Sequence, residues 1–121
     1  MRTLAEVLAT VDRADLFFGV AVDSVGSERF SGETALHIYA KWNDGEAIRI
    51  LVEAGADIDK RGEDDNTPLH YAAMVGSLSA VQTLIDLRAA NTRDRYGNRP
   101  IDLAAEHEEV RSLLKERGYD V

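Results

Sequence analysis

The sequence predicts an all-α protein, built as a solenoid of stacked helix-turn-helix units with short β-hairpin loops between them. A shift of 33 residues places Thr34-Ala35-Leu36-His37 on Thr67-Pro68-Leu69-His70, and a further shift of 32 residues reaches Arg99-Pro100-Ile101-Asp102. Each unit carries two short apolar stripes at helical spacing. Alanines recur at the same phase, at Ala40, Ala73 and Ala105. Because one pair of short helices cannot bury its apolar face alone, the units are expected to stack.

The first 33 residues lack the repeated tetrapeptide but carry helix signals of their own. Thr3 and Glu6 fit a capping box at the start of a helix. The apolar side of that helix is formed by Leu4, Val7, Leu8 and Val11. A second helix is expected at residues 14–22, followed by a longer loop up to Glu33. We therefore assign residues 1–33 to a divergent first repeat that caps the stack.

Two complete units follow, at residues 34–66 and 67–98. Thr34 and Thr67 are placed to cap a first helix with their hydroxyls, and Pro68 occupies a first helical position, where no amide hydrogen is needed. These short first helices are expected to stop at Asn43-Asp44-Gly45 and at Gly76.

Each complete unit is predicted to contain a second helix, at residues 46–54 and 78–87, where the apolar period resumes. Gly55 offers the left-handed conformation of a helix end. The polar stretches at residues 59–66 and 91–98 have the glycine and asparagine content of turns.

The last unit, residues 99–121, is predicted to be a shortened carboxy-terminal cap. Asp102 stands in the place of the repeated histidine, and the turn between the two helices is about two residues short. Arg88 stands where Gly55 stood, and one residue is missing near Asn91. We therefore expect local irregularity after the second complete unit.

The repeated unit resembles the ankyrin repeat, which has Thr-Pro-Leu-His, then alanines, a glycine, an apolar second helix, and Gly-Ala-Asp before a hairpin. The matching segments are Thr67-Pro68-Leu69-His70-Tyr71-Ala72-Ala73 and Leu51-Val52-Glu53-Ala54-Gly55-Ala56-Asp57-Ile58. The resemblance covers residues 34–121. It implies a domain that binds proteins, with no enzymatic activity and no cofactor.

Composition restricts the class of partner. The chain has 22 acidic and 14 basic residues and a net charge of −8, which repels nucleic-acid phosphates and gains nothing at an anionic membrane. The longest apolar run, from Leu16 to Val22, is too short to span a bilayer. We expect a cytoplasmic protein that is monomeric when free and binds a basic or neutral protein, with no nucleic acid or membrane involved.

The histidines of the repeat, His37 and His70, are candidates for metal ligands. Adjacent packed helices lie about 8–10 Å apart, whereas each ligand of a zinc ion must reach it at about 2.0–2.1 Å. The distances therefore argue against a shared zinc. The resemblance instead implies that these histidines form hydrogen bonds between neighbouring turns, and no metal site is predicted.

The acidic stretch at residues 53–65 was compared with a calcium-binding loop. Asp57, Asp59 and Gly62 fit the pattern, but Arg61 and Pro68 occupy positions where ligands are needed. Two interpretations stay open: a solvated acidic loop, or a patch that meets a basic partner. No nucleophile motif or phosphate-binding loop is present, so no catalytic residue is predicted.

In the ankyrin family, partners usually contact the hairpin tips and the exposed side of the first helices. Transferred by position, the predicted contact residues are Glu33, Lys41, Trp42, Glu63, Asp64, Asn66, Met74, Val75, Arg95, Tyr96 and Asn98. The repeat phase brings Lys41 and Trp42 beside Met74 and Val75, with Tyr96 near the edge. Such aromatic and methionine side chains are enriched at interface centres.

Trp42 has an alternative interpretation, in which it only packs on its neighbours. On the opposite, solvated side of the stack we expect Arg49, Gln82 and Arg111.

Three functions are compatible with this pattern. The first is an inhibitor or immunity protein (an antitoxin) that covers a basic partner such as a toxin. The second is an adaptor or scaffold fragment of a larger protein. The third is a purely structural or designed repeat, which the unequal repeats argue against.

Overall fold

The computed structural model describes residues 1–13 and 33–121. Apart from the bridge residue Thr34, these two ranges contain no β-strand, which confirms the all-α prediction. The helices are α1 (Leu4–Arg13), α2 (Ala35–Lys41), α3 (Gly45–Glu53), α4 (Pro68–Val75), α5 (Leu78–Asp86), α6 (Pro100–Leu103) and α7 (Glu108–Glu116), with one turn of 3-10 helix at Glu63–Asp65. The helix expected at residues 14–22 lies outside the described residues.

Helix α1 begins with the predicted capping box. The Glu6 amide donates to Thr3 Oγ1 at 3.2 Å, and the Thr3 amide donates to the Glu6 carboxylate at 3.2 Å. Val7 and Val11 are fully buried against the following helices, α2 and α3. The Tyr39 hydroxyl of α2 donates to the Val7 carbonyl at 2.6 Å. Helix α1 is therefore part of the core.

Arg2 ties the amino terminus to the start of α3. Its guanidinium donates to Asp44 at 2.6 Å and to Glu46 at 2.8 Å. The bond from Arg2 lowers the pKa of the Asp44 carboxyl below its usual range. Asp44 is also the cap of α3, because its carboxylate accepts the Ala47 amide at 3.1 Å.

The first and second helices of the units form two layers. α2, α4 and α6 pack in one layer, and α3, α5 and α7 pack in the other. Each side chain at the centre of the stack has at most 1% of its surface exposed: Leu36, Ile48, Leu51, Leu69, Leu84 and Leu114. This burial is the main favourable contribution to folding, as expected for stacked repeats.

The repeated histidines join each first helix to the loop that follows. The Thr34 amide donates to His37 Nδ1 at 3.0 Å, so His37 Nε2 carries the proton and donates to the carbonyls of Lys60 at 2.8 Å and Asn66 at 3.2 Å. His70 repeats the arrangement, with Nδ1 accepting the Thr67 amide at 3.1 Å. Its Nε2 donates to the Asn98 carbonyl at 2.9 Å. Both histidines therefore have the hydrogen-bonding role that was expected.

The helix end at Arg88 has the same backbone geometry as the glycine ends of the other units. Gly55, Arg88 and Gly118 all adopt positive φ angles, of 102°, 67° and 83°. After Arg88 the Ala89 amide donates to the Leu84 carbonyl at 2.9 Å, as the equivalent amides do in the other two units. Arg88 takes the left-handed conformation in place of glycine, and the missing residue is absorbed between this cap and the next loop tip.

The last unit is shortened, as expected. Helix α6 has four residues, whereas α4 has eight. Asp102 replaces the repeated histidine but keeps one of its bonds, because its carboxylate accepts the Arg99 amide at 2.8 Å. The start of α6 is therefore capped by a side-chain acceptor, as in the other units, although aspartate replaces histidine.

Candidate protein-binding surface

Two loop tips stand beside the first helices of the stack. In the first tip the Gly62 amide donates to the Asn66 carbonyl at 2.9 Å, and in the second the Asp94 amide donates to the Asn98 carbonyl at 2.9 Å. The Arg95 amide donates to the Asp64 carbonyl at 2.8 Å and joins the two tips. The tips therefore form one continuous edge.

The carboxylate of Asp94 shapes the second tip. Its Oδ1 accepts the amides of Tyr96 and Asn98, both at 2.9 Å. This side chain is buried, and it holds the turn that projects the Tyr96 ring. Tyr96 itself is 70% exposed.

A groove of about 330 Å³, which we call the tip groove, lies between these tips and the first helices. It is lined by Glu63, Asp64, Asn66, Tyr71, Met74, Asp94, Tyr96, Asn98 and Leu103. Six of these nine residues were predicted as contact residues: Glu63, Asp64, Asn66, Met74, Tyr96 and Asn98. Three carboxylates and no basic side chain line the tip groove.

Outside the tip groove, the apolar contact residues predicted at the ends of α2 and α4 are exposed. Trp42 is 45% exposed and Val75 is 50% exposed. The Ser77 hydroxyl donates to the Lys41 carbonyl at 3.2 Å, which places these two helix ends side by side. Trp42 also meets the ring of Tyr39 edge-on at 5.4 Å between centroids. About half of the Trp42 surface is therefore buried against the domain, and the other half is exposed.

Glu33 and Asn66 were expected to be exposed contact residues, but both are buried. Glu33 is 3% exposed and Asn66 is 7% exposed. The Glu33 carboxylate lies 2.8 Å from Lys41 Nζ, so both charges are engaged within the domain. Burial chiefly raises the pKa of the Tyr71 hydroxyl, and the nearby negative charge of Glu33 raises it further.

Sequence reasoning missed three residues of the tip groove: Tyr71, Asp94 and Leu103. A usable signal existed for Asp94, because an aspartate three residues before Gly97 is typical of a turn that its side chain closes. Tyr71 and Leu103 lie on helices, and their positions beside the groove depend on how neighbouring units stack.

The opposite side of the stack has a groove of its own. Arg111 is exposed, and Arg49 and Gln82 are half-buried. Between α5 and α7 lies a space of about 450 Å³, here called the outer groove. Its lining is Leu78, Gln82, Glu108, Glu109, Ser112, Leu113 and Glu116, with no aromatic residue. That side is therefore acidic and partly apolar.

The described part of the chain is residues 1–13 and 33–121. In that part of the chain, no three histidine or acidic side chains are grouped so that they could hold a metal ion. No helix there has the length and apolar character needed to cross a membrane.

Comparison with known proteins identifies the family. The family model described as ankyrin repeats (3 copies) matches residues 8–94 and 36–121. The chain belongs to the ankyrin repeat family. Ankyrin repeats are protein-interaction modules, so this ankyrin domain has the architecture of a binding protein.

Curated relatives contain the same repeat within much longer chains. The domain is 35% identical over 91 residues to a transient receptor potential cation channel subfamily A member 1 homolog of Caenorhabditis elegans, covering 72% of this chain and 8% of that protein. It is 39% identical over 77 residues to the neurogenic locus Notch protein of Drosophila melanogaster, covering 62% and 3%. The match to protein phosphatase 1 regulatory subunit 12A of Mus musculus is 38% over 77 residues, covering 63% and 8%.

Proposed function

We propose that this ankyrin domain binds a basic protein and acts as an inhibitor, as an immunity protein does against a toxin. Its binding surface consists of the tip groove together with Lys41, Trp42, Val75 and Arg95. The domain covers the active site of the partner or the surface around it, and none of its own residues undergoes reaction. The domain acts as a monomer and meets its partner in the cytoplasm.

The observation that carries this proposal is the combination of exposed apolar side chains with acidic ones at one edge. Tyr96 and Met74 line the same groove as Glu63, Asp64 and Asp94. Aromatic and methionine side chains are enriched at the cores of protein interfaces, and acidic groups select partners of opposite charge. The net charge of −8 supports the same class of partner.

A second candidate is an adaptor or scaffold domain. The chain spans only 8%, 3% and 8% of the three relatives described above, and each carries these repeats within a longer protein. Sequencing the native gene on both sides of the region that encodes this chain, together with its neighbours, separates an adaptor from a stand-alone inhibitor.

The test begins with affinity purification of the partner from the native cell and its identification by mass spectrometry. Trp42→Ala and Tyr96→Ala should each weaken binding to that partner by about 2 kcal/mol or more, mainly through faster dissociation. The fold should change little, because both side chains are partly exposed. An inhibitor should also abolish the activity of the purified partner at a one-to-one ratio, whereas an adaptor should leave it unchanged.

Matched controls lie on the other side of the stack, at Arg49→Ala, Gln82→Ala and Arg111→Ala. These variants should bind as the parent does. The proposed surface is refuted if they abolish binding while Trp42→Ala and Tyr96→Ala have no effect.

A further inference from the structure

We propose that the tip groove binds one arginine side chain of the partner. This inference rests on the proposed function, because it names the group through which a basic protein is recognised. A volume of about 330 Å³ is at the lower limit of ligand pockets, so it suits a single long side chain and not a larger ligand.

The charge of the tip groove favours a cation. Glu63, Asp64 and Asp94 line it without a basic neighbour in the lining. Arg95 approaches Asp64 at 3.6 Å from outside and offsets part of one charge. The carboxylates of Glu63 and Asp94 form no ion pair with any residue of the described ranges 1–13 and 33–121, which leaves the tip groove with an excess of negative charge.

An unsatisfied acceptor gives a second and independent reason. Asn66 is 7% exposed, and its Oδ1 has no hydrogen-bond donor within the described ranges. A buried acceptor without a donor is unfavourable. Asn66 lines the tip groove, so an N–H group that enters the groove can supply the missing donor once the Asn66 side chain rotates and brings Oδ1 to the groove surface.

The rest of the lining favours arginine over lysine. A guanidinium is planar, carries five donors and stacks on aromatic rings, whereas an ammonium is a compact and strongly hydrated charge. Tyr96 offers a ring that is 70% exposed, and Met74 and Leu103 offer apolar contact for the methylene groups.

The test uses small probes and the intact domain, followed by two-dimensional ¹H–¹⁵N NMR. Nα-acetyl-arginine amide is titrated against Nα-acetyl-citrulline amide, which has nearly the same shape but no charge, and against the lysine analogue. Arginine amide should give saturable shifts at the side-chain amide of Asn66 and at the backbone amides of Tyr71, Tyr96 and Asn98. Citrulline amide should give none, and lysine amide should bind more weakly.

Two exposed positions test the lining. Glu63→Gln and Tyr96→Ala should each raise the dissociation constant for arginine amide by about two- to fivefold, the scale of one exposed ion pair or cation–π contact. Glu109→Gln is the matched control, because it removes a similar charge from the outer groove. It should leave the affinity unchanged.

Equal shifts with citrulline amide, or shifts centred on the outer groove, would overturn the assignment of an arginine pocket. Neither result affects the proposed function, which is tested by the captured partner and the Trp42→Ala variant. Conversely, a partner that binds elsewhere on the domain would refute the proposed surface, even if arginine amide enters the tip groove.

Discussion

Lys41 and Glu33 form an ion pair at 2.8 Å that lies over the Tyr71 ring. The Glu33 side chain is only 4% exposed, whereas that of Lys41 is 34% exposed. Both residues belong to the set of predicted contact residues, yet the structure uses them to join the loop before α2 to the first helices. Their charges therefore contribute to stability.

Replacing the cation of this pair should destabilise the domain. Lys41→Met leaves the buried Glu33 carboxylate without its ammonium partner, and we expect the free energy of unfolding to fall by about 1–3 kcal/mol. The value is below that of a fully buried pair, because Lys41 is partly exposed. Urea denaturation measures the change.

Two variants control this measurement. Lys115→Met removes an exposed cation on α7 and should change the free energy of unfolding by less than about 0.5 kcal/mol. Glu33→Gln combined with Lys41→Met removes both charges of this pair and should recover part of the loss. Equal stability of Lys41→Met and the parent would mean that the ion pair contributes nothing.

The two repeat histidines should make stability depend on pH. Burial lowers the pKa of both His37 and His70 below the usual 6.5, so the folded protein keeps them neutral while the unfolded chain binds protons. Stability from these residues is complete above about pH 6.5. It is lost progressively as the pH falls from 6.5 through their folded pKa values.

Denaturation at several pH values tests this expectation. His70→Ala should lower the free energy of unfolding at pH 7.5 by about 1–3 kcal/mol, because the Asn98 carbonyl loses its donor. It should also reduce the slope of stability against pH below 6.5. Tyr39→Phe, which loses the bond to Val7 but keeps both histidines, should be less stable with an unchanged slope. An unaltered slope in His70→Ala would contradict the role assigned to this histidine.

Arg88 should be replaceable by glycine with a gain in stability. Its φ of 67° lies in the left-handed region, which costs a residue with a Cβ about 1–2 kcal/mol. Glycine removes that cost but is more flexible when unfolded. We therefore expect Arg88→Gly to raise the free energy of unfolding by about 0.5–1 kcal/mol, measured by thermal and urea denaturation.

Asn43 provides the matched control, since its φ is 57° but its side chain has a partner. Asn43 Oδ1 accepts the Ala80 amide at 3.0 Å. Asn43→Gly loses this bond between units, so it should give no gain or a loss. If both glycine variants stabilise the domain equally, the side chain of Asn43 is not needed.

Reversing the acidic charge at the first tip should slow association. Glu63→Lys together with Asp64→Lys removes the attraction that steers a basic partner, so the association rate should fall and lose its dependence on salt. Stopped-flow measurements at several salt concentrations test this. Glu108→Lys with Glu109→Lys, in the outer groove, is the control and should have a smaller effect. Equal slowing by both pairs would show that only the net charge matters.

The fold was predictable because its signals are local and repeated. Thr67, Pro68 and His70 define a helix start by their own chemistry, and the repeat phase then fixes how the units align. The left-handed conformation of Arg88 was not predicted, because sequence patterns assign that conformation to glycine. The surrounding hydrogen bonds are strong enough to impose it on arginine.

The candidate surface was less predictable, because burial depends on residues far apart in the sequence. Glu33 was expected to be exposed, because the sequence does not show that Lys41 and Tyr71 lie beside it in the fold. Asn66 is covered by the stacking of the units, which no local pattern reveals. In contrast, Trp42 and Tyr96 were correctly expected to be exposed, since they follow a helix end and occupy a turn.

The backbone bond from Arg95 to Asp64 fixes the relative position of the two loop tips in the free domain. Binding therefore does not have to order these loops, and little conformational entropy is lost when a partner docks on them. The surface is preorganised by main-chain atoms, which no substitution other than one to proline removes. Side-chain substitutions on the two loop tips can therefore change which partner binds, while the backbone of the tips keeps its shape.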